Sequence, residues 1–295
     1  FAPMQDLGLI IIDEEHDQSY KSETTPKYHA REIARYLAKE NSISLVLGSA
    51  TPDLETFYKT QTGEIKLLEL TQRANNAKLP NVEIVDLRNE LEQGNKTMIS
   101  GKLYKAIKEN LQNNKQTILF LNRRGFSTFV MCRECGHTIK CKNCDITLTY
   151  HANSKKLKCH YCGYEEEIAK ECPECHSKNI KYFGAGTQKL EEQIHLLFPE
   201  ASTIRMDVDT VTKKNSHEEI LNKFKKDNIN ILIGTQMVVK GHHFPNVTLV
   251  GVIAADTSLN IDDFKANEHT FQILTQVARK SRERKGTRKG NNSNI

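Results

Sequence analysis

The chain has 295 residues, of which 38% are hydrophobic and 27% charged, and a formal net charge of +5 at pH 7. That length suits two ordinary domains. No apolar run is long enough to cross a bilayer and no secretory leader is visible, so membrane and secreted classes are set aside and the cytoplasm is the expected compartment.

The positive balance is local. From Arg279 to Gly290 seven basic residues face one acid, a net +6 that leaves −1 for the remainder. A nucleic-acid reading from net charge alone therefore rests on the tail. The first residue is Phe1, not Met, so the chain is expected to be a fragment of a longer protein.

Taken in order, Leu7-Gly8-Leu9-Ile10-Ile11-Ile12 has the pattern of a buried parallel strand. It runs into Asp13-Glu14-Glu15-His16, and open α/β sheets place ligands at the carboxyl ends of their strands. In a nucleotide hydrolase Asp13 would hold Mg²⁺ and Glu14 would orient or deprotonate the attacking water. Four letters alone serve a solvated acidic loop equally well. Ser19-Tyr20-Lys21 and Tyr28-His29-Ala30-Arg31 interleave aromatic and cationic side chains, which suits base stacking and phosphate contact, or an ordinary surface loop. Ala30 to Lys39 has helical spacing. Ile43 to Leu47 is a second buried strand, running into Gly48-Ser49-Ala50-Thr51-Pro52, a turn that either bridges ligands through its hydroxyls or only reverses the chain.

Residues 66 to 85 read as a connection broken by Pro80. Ser100 to Asn113 is an amphipathic helix, and Thr117 to Leu121 a strand that precedes Asn122-Arg123-Arg124-Gly125-Phe126.

All eight cysteines then follow in four Cys-x-x-Cys knuckles. A two-residue gap turns both thiolates onto one metal, and two knuckles complete a tetrahedral zinc site. In a chain without a secretory signal this pattern reads as metal binding in preference to disulfides. Only Gly136 to Lys140 separate the first two knuckles, so one ion between them needs a very tight loop and a nested pairing is favoured. Cys132, Cys135, Cys172 and Cys175 hold one zinc, and Cys141, Cys144, Cys159 and Cys162 the other. His137, His151, His160 and His176 are then spare, exposed side chains. Closed four-thiolate sites hold shape and perform no hydrolysis.

Beyond the cysteines, Gly184-Ala185-Gly186-Thr187-Gln188 opens a helix from Lys189 to Phe198. Its glycines serve a phosphate contact at a helix N-terminus or only a tight turn. A strand at Ile204 to Asp207, a helix at His217 to Lys226, a strand from Ile229 into Gly234-Thr235-Gln236-Met237 and a strand at Val247 to Ala254 complete an alternation that predicts parallel sheets covered by helices.

Together these pieces resemble the bacterial replication-restart helicases, the primosomal N′ branch of superfamily 2, over Phe1 to Ala278. Asp13-Glu14-Glu15-His16 matches their Walker B box, Ser19 to Arg31 their aromatic-rich loop, and Gly48 to Pro52 motif III. Asn122 to Phe126 matches motif IV, after which the family also inserts its cysteines. Gly234 to Pro245, including Lys240-Gly241-His242-His243-Phe244-Pro245, matches motif V.

The resemblance implies an α/β fold of two RecA-like lobes, the first incomplete, with a double zinc-binding insertion in the second. Residues 1–70 would be the end of the first lobe and 71–97 a connection. Residues 98–130 and 179–278 would form the second lobe, and 131–178 the insertion. It further implies an ATP-dependent 3′ to 5′ DNA helicase that restarts stalled forks, with Asp13 and Glu14 serving Mg²⁺ and hydrolysis. Ser49, Thr51, Gln236 and Lys240 would couple hydrolysis to DNA, Gln236 and Lys240 from the cleft between lobes. Tyr20, Tyr28, His29 and Arg31 would sense DNA. Two Zn²⁺ ions belong to the chain, and ATP with Mg²⁺ to the full-length parent. The implied partners are forked and single-stranded DNA, primosome proteins and single-stranded-DNA-binding proteins. The rival reading is a non-catalytic zinc-ribbon module that binds DNA or protein.

Two departures stand out. No Gly-x-x-x-x-Gly-Lys-Ser/Thr loop occurs anywhere in the chain. Motif VI should continue Gln276-Val277-Ala278 with Gly-Arg-Ala-Gly-Arg, yet Lys280 and Glu283 stand where its arginines belong. Permitted codons for Arg279 to Ile295, read one base later, give Gly-Arg-Ala-Gly-Arg-Gly-Lys-Gly-Gln-Gly-Lys-Val-Ile-Ile-Gln-Thr. Residues 279–295 are therefore read as a frameshift product, an aberrant basic tail without structure of its own.

Overall fold

The computed structural model describes residues 6–22, 24–72, 80–122, 128–151, 154–183, 186–207, 216–235, 244–260, 263–280 and 289–294. It divides into two compact units, Phe1–Gln72 and Arg73–Ile295.

In the first unit, β1 (Leu9–Asp13) pairs in parallel with β2 (Ser44–Gly48), Leu9 opposite Ser44 and Asp13 opposite Gly48. The crossover is α1 (Ala30–Glu40), capped by His29, whose Nδ1 accepts from the Arg31 amide at 3.2 Å. After β2 comes α2 (Leu54–Gln61), capped by Asp53, a helix the sequence did not announce. The expected burial of the first strand is corrected. Ile12 is buried, but Leu9 is 48% and Ile11 65% exposed. A strand reads as fully buried only when both faces are covered, and among the described residues this sheet has two strands.

The second unit holds a six-stranded parallel sheet. Its centre is β4 (Gln116–Leu121), buried at every position. Alternate residues of β4 feed two cores. Leu119 and Leu121 face Leu103 and Ile107 of α4 (Gly101–Gln112) and Leu190 and Ile194 of α5 (Thr187–Leu197). Ile118 and Phe120 face Leu221 and Phe224 of α6 (Ser216–Lys226) and Val277 of α7 (Ala266–Lys280). The period of two in the strand thus sends the helices to both faces. The other strands are β10 (Thr203–Met206), β11 (Ile231–Gly234) and β12 (Val247–Ile253). At Gly251 of β12 a Cβ would lie 2.9 Å from a Leu103 methyl, so α4 packs there only against glycine.

Two further strands depart from expectation. The connection contains β3 (Asn81–Asp86) and α3 (Leu87–Glu92), and β3 belongs to this sheet. The tail contains β13 (Lys289–Asn294), which lies parallel between β12 and β3. Two neighbours in the ladder give this polar backbone hydrogen-bond partners that composition alone does not foretell.

The cysteine module lies between β4 and α5. Its five-stranded antiparallel sheet runs β8-β7-β6-β5-β9. These are β5 (Thr128–Cys132), β6 (Thr149–His151), β7 (Lys156–Lys158), β8 (Glu165–Glu167) and β9 (Ile180–Phe183). Leu148 and Leu157 are its fully buried apolar centre, beside Cys141 and Cys159. The edge strand β8 carries three glutamates, a charge row that discourages pairing with another chain.

Candidate metal centres and carboxylate site

Each knuckle repeats one backbone construction. The residue after the second cysteine donates its amide to the carbonyl of the first: Gly136 to Cys132, Asp145 to Cys141, Gly163 to Cys159 and His176 to Cys172, at 2.9–3.0 Å. Each first cysteine in turn donates to the carbonyl five residues on, at 2.7–2.9 Å. The closing residue is left-handed in all four knuckles, with φ of 79°, 57°, 77° and 56°. Glycine takes that conformation freely and histidine does not. His176→Gly is accordingly expected to raise the stability of the zinc-loaded protein by about 1 kcal/mol, read as a higher midpoint of thermal unfolding.

The knuckles bring the eight sulfurs into two groups, Cys132, Cys135, Cys172 and Cys175, and Cys141, Cys144, Cys159 and Cys162, with all four Sγ atoms of a group within 4.8 Å of one another. This is the nested pairing. The Sγ atoms lie 3.6 Å apart for Cys132–Cys175 and for Cys135–Cys172, and 3.5 Å apart for Cys141–Cys162. Tetrahedral zinc with bonds of about 2.3 Å needs sulfurs about 3.8 Å apart, so both groups fit the ion. Burial pushes the Cys135 and Cys144 thiols up to about 12, while the Tyr164 backbone amide holds Cys162 down at about 6. Four thiolates at this spacing need a dication to coexist, and zinc supplies that charge.

Arg133, inside the first knuckle, fastens the module to the sheet unit. Its guanidinium donates to the Lys96 and Thr97 carbonyls at 3.0 and 3.4 Å, and burial pulls its pKa down. The receiving turn is held in place by Asn95, which donates to Glu90 and to the Ile99 carbonyl. No sequence signal singled out Arg133.

In the first unit, Asp13 and Glu14 are both exposed at the carboxyl end of β1. The Glu14 amide donates to Asp13 Oδ1 at 2.9 Å, and Glu14 has φ 48°. The pair offers hard oxygen donors to a hydrated Mg²⁺. His16 Nδ1 lies 2.6 Å from Ser49 Oγ and 3.7 Å from Glu14 Oε2, and its Nε2 lies 3.5 Å from Thr51 Oγ1. Ser49 and Thr51, expected as couplers, therefore meet the acidic motif through His16.

The aromatic-rich loop divides. Tyr28 is 41% exposed, and Tyr20 donates its hydroxyl to the Asp13 carbonyl at 2.8 Å. His29 is half-buried as the α1 cap. Arg31, expected to sense DNA with these residues, lies in the interior of the unit. Arg31 is 3% exposed and ion-paired with Glu15, itself 1% exposed, at 2.6 Å. Thr56 donates to the same carboxylate at 3.1 Å, and the Asp53 amide to its other oxygen at 2.7 Å. The guanidinium is turned into the interior of the unit, and its Nε has no hydrogen-bond partner among the described residues. The spacing of Glu15, Asp53 and Thr56 in sequence gave no hint of this network. Gln236 and Lys240, with 123–126 of motif IV, lie outside the described residues.

Asp256 follows β12 at the carboxyl end of the six-stranded sheet. Its Oδ1 has no hydrogen-bond partner among the described residues, and burial, with Asp86 nearby, raises its pKa to about 6. A raised carboxylate pKa means the folded state holds the proton more tightly. Its stabilising effect is therefore full below about 3.8 and lost as pH rises through about 6. Asp256→Asn is expected to stabilise the protein at pH 7.5 by about 1–2 kcal/mol after discounting for partial exposure. It should do little at pH 4, and urea unfolding at both pH values reads the difference.

The model of the PriA DNA helicase Cys-rich region matches residues 141–166, and that of the helicase conserved C-terminal domain matches residues 166–281. The replication restart protein PriA of Bacillus subtilis (strain 168) is 51% identical over 278 residues, covering 94% of this chain and 34% of that protein. That of Synechocystis sp. is 46% identical over 287 residues, again covering 94% and 34%. The chain thus spans about a third of the length of these relatives. Among solved structures, the DUF1998 helicase MrfA bound to DNA and AMPPNP is 13% identical with a TM-score of 0.49, over 98% of this chain and 30% of that one. No described helix is long and apolar enough to cross a membrane.

Proposed function

The chain belongs, along the segment it shares with those relatives, to the PriA replication-restart family, and from that premise we infer that it is part of an ATP-dependent DNA helicase acting 3′ to 5′ at stalled replication forks. The observation that carries this reading is the two-zinc module seated between β4 and α5 of a helicase C-terminal fold. The exposed Asp13–Glu14 pair supports the hydrolytic half.

In the parent protein, Mg²⁺ bound with ATP would neutralise phosphate charge, and the residues at the carboxyl end of β1 would receive it. Asp13 is the residue to hold that cation. Glu14 orients or deprotonates water. His16, Ser49 and Thr51 form a hydrogen-bonded relay beside them, while Gln236 and Lys240 serve the same coupling from the second lobe. Tyr20, Tyr28 and His29 report DNA to this site. Tyr20 acts through the Asp13 carbonyl, and Arg31 acts from inside by fixing Glu15. The zinc module assists strand separation and presents a surface to primosome and single-stranded-DNA-binding proteins.

The isolated chain is inactive in this reading, because it contains no Gly-x-x-x-x-Gly-Lys-Ser/Thr loop to cradle phosphates and carries Lys280 and Glu283 in motif VI. The frameshift origin of the tail has one further support. The shifted reading places Lys-Val-Ile-Ile-Gln-Thr on the six positions of β13, where the chain itself carries Gly290, Asn291 and Asn292, poor strand formers between two parallel strands.

The test is a chimera in which this chain's matched segment replaces the corresponding one of the Bacillus subtilis relative, with the motif VI arginines restored. DNA-stimulated ATP hydrolysis is expected. Glu14→Gln should lower it by about 10² or more, as loss of a general base does. A folded, zinc-loaded chimera without ATPase activity contradicts the proposal.

A further inference from the structure

The inner zinc ribbon carries a pair of side chains that its four-thiolate site does not use. His151 ends β6, and His160 sits inside the third knuckle beside Cys159. Their Nε2 atoms face each other at 3.2 Å, with ring centroids 5.0 Å apart and planes inclined at 53°. Both rings are at the surface, His151 half-buried and His160 exposed. Neutral imidazoles so placed make one hydrogen bond, one Nε2–H donating to the other nitrogen. The same separation lets two lone pairs serve one ion. With metal–nitrogen bonds of about 2.0–2.1 Å, nitrogens 3.2 Å apart subtend about 100° at a shared ion. That angle lies between the tetrahedral and the cis square-planar values.

We propose that His151 and His160 form an accessory binding site for a divalent transition-metal ion of the class that imidazole favours, Ni²⁺, Cu²⁺ or Zn²⁺. Each ring gives its Nε2 lone pair, and its proton then resides on Nδ1. The remaining positions stay open to water or to a donor from a bound macromolecule. The charges beside the pair permit a cation. Lys156 and Lys158, on the adjoining strand, are both engaged by Glu165, at 3.7 and 3.0 Å. Two imidazoles hold an ion less tightly than four thiolates, so zinc fills the cysteine sites first.

Ni²⁺ is the probe, because it competes poorly for closed tetrahedral thiolate sites. The full chain is loaded with two zinc ions and titrated with Ni²⁺ by calorimetry, with elemental analysis of the product. One further ion per chain is expected, and His151→Gln/His160→Gln should weaken its binding by at least about tenfold while both zincs stay. Equal Ni²⁺ uptake by the double variant, or none by the native chain, overturns the site and leaves the pair a hydrogen bond. Should the variant lose zinc, proton resonances of the native chain decide. Substoichiometric Ni²⁺ must broaden the ring signals of His151 and His160 before those of the other nine histidines. Earlier broadening elsewhere overturns the proposal.

Discussion

Cys159→Ala is expected to leave one zinc per chain instead of two and to unfold the inner ribbon, without unfolding the six-stranded sheet. Cys159 is fully buried, in contact with the small core of Leu148 and Leu157. That core holds six buried residues, two of them the ligands Cys141 and Cys159. A core of that size supplies little stability by itself, whereas structural zinc contributes on the order of 10 kcal/mol to such modules. Losing one thiolate therefore removes most of what holds the ribbon folded. The sheet unit has two separate cores, on either side of β4, that share no residue with the ribbon. Elemental analysis should read one zinc, and limited proteolysis should cut between Lys140 and Lys170 first. Retention of two zincs, or simultaneous loss of the sheet, contradicts this account of the module.

Arg31→Ala is expected to destabilise the first unit by about 3–5 kcal/mol, because it leaves the Glu15 carboxylate buried without its cation. A paired replacement, Arg31→Met with Glu15→Leu, should cost much less, since no buried charge remains. Were Arg31 a surface contact for nucleic acid, the alanine variant would change stability little and the paired replacement would be no milder. Urea unfolding followed by hydrogen exchange on α1 and β1 separates these outcomes. The measurement belongs to this unit because Glu15, Arg31, Asp53 and Thr56 join its acidic motif to α1 and α2.

Local chemistry made the cysteine module legible from sequence. A two-residue knuckle closes on itself, and the short gap from Cys135 to Cys141 favoured nested over sequential pairing. The central strands of the second sheet were legible too, because β4 from Ile118 to Leu121 and β12 from Leu249 to Ile253 are uninterrupted by polar side chains. β1 carries the same letters as a buried strand, yet burial depends on what covers a face, and that lies beyond any short run. β13 escaped because it carries no apolar side chain, and β3 because its apolar residues are interrupted by polar ones and form no run. Their backbones are specified by neighbouring strands through the ladder. The burial of Arg31 was not legible because a cation among aromatics reads as a surface group in composition, while its partner Glu15 is sixteen residues away. The roles of Asp13 and Glu14 rest on position at a strand end, which sequence and structure place alike.

The central claim is that two closed, all-sulfur zinc centres organise this chain. Zinc K-edge absorption of the chain purified under reducing conditions tests it most directly, together with metal counting. The account predicts two zinc ions per chain, each with four sulfurs at about 2.3 Å and no nitrogen or oxygen in the shell. One ion per chain, or a shell containing imidazole nitrogen, would contradict it.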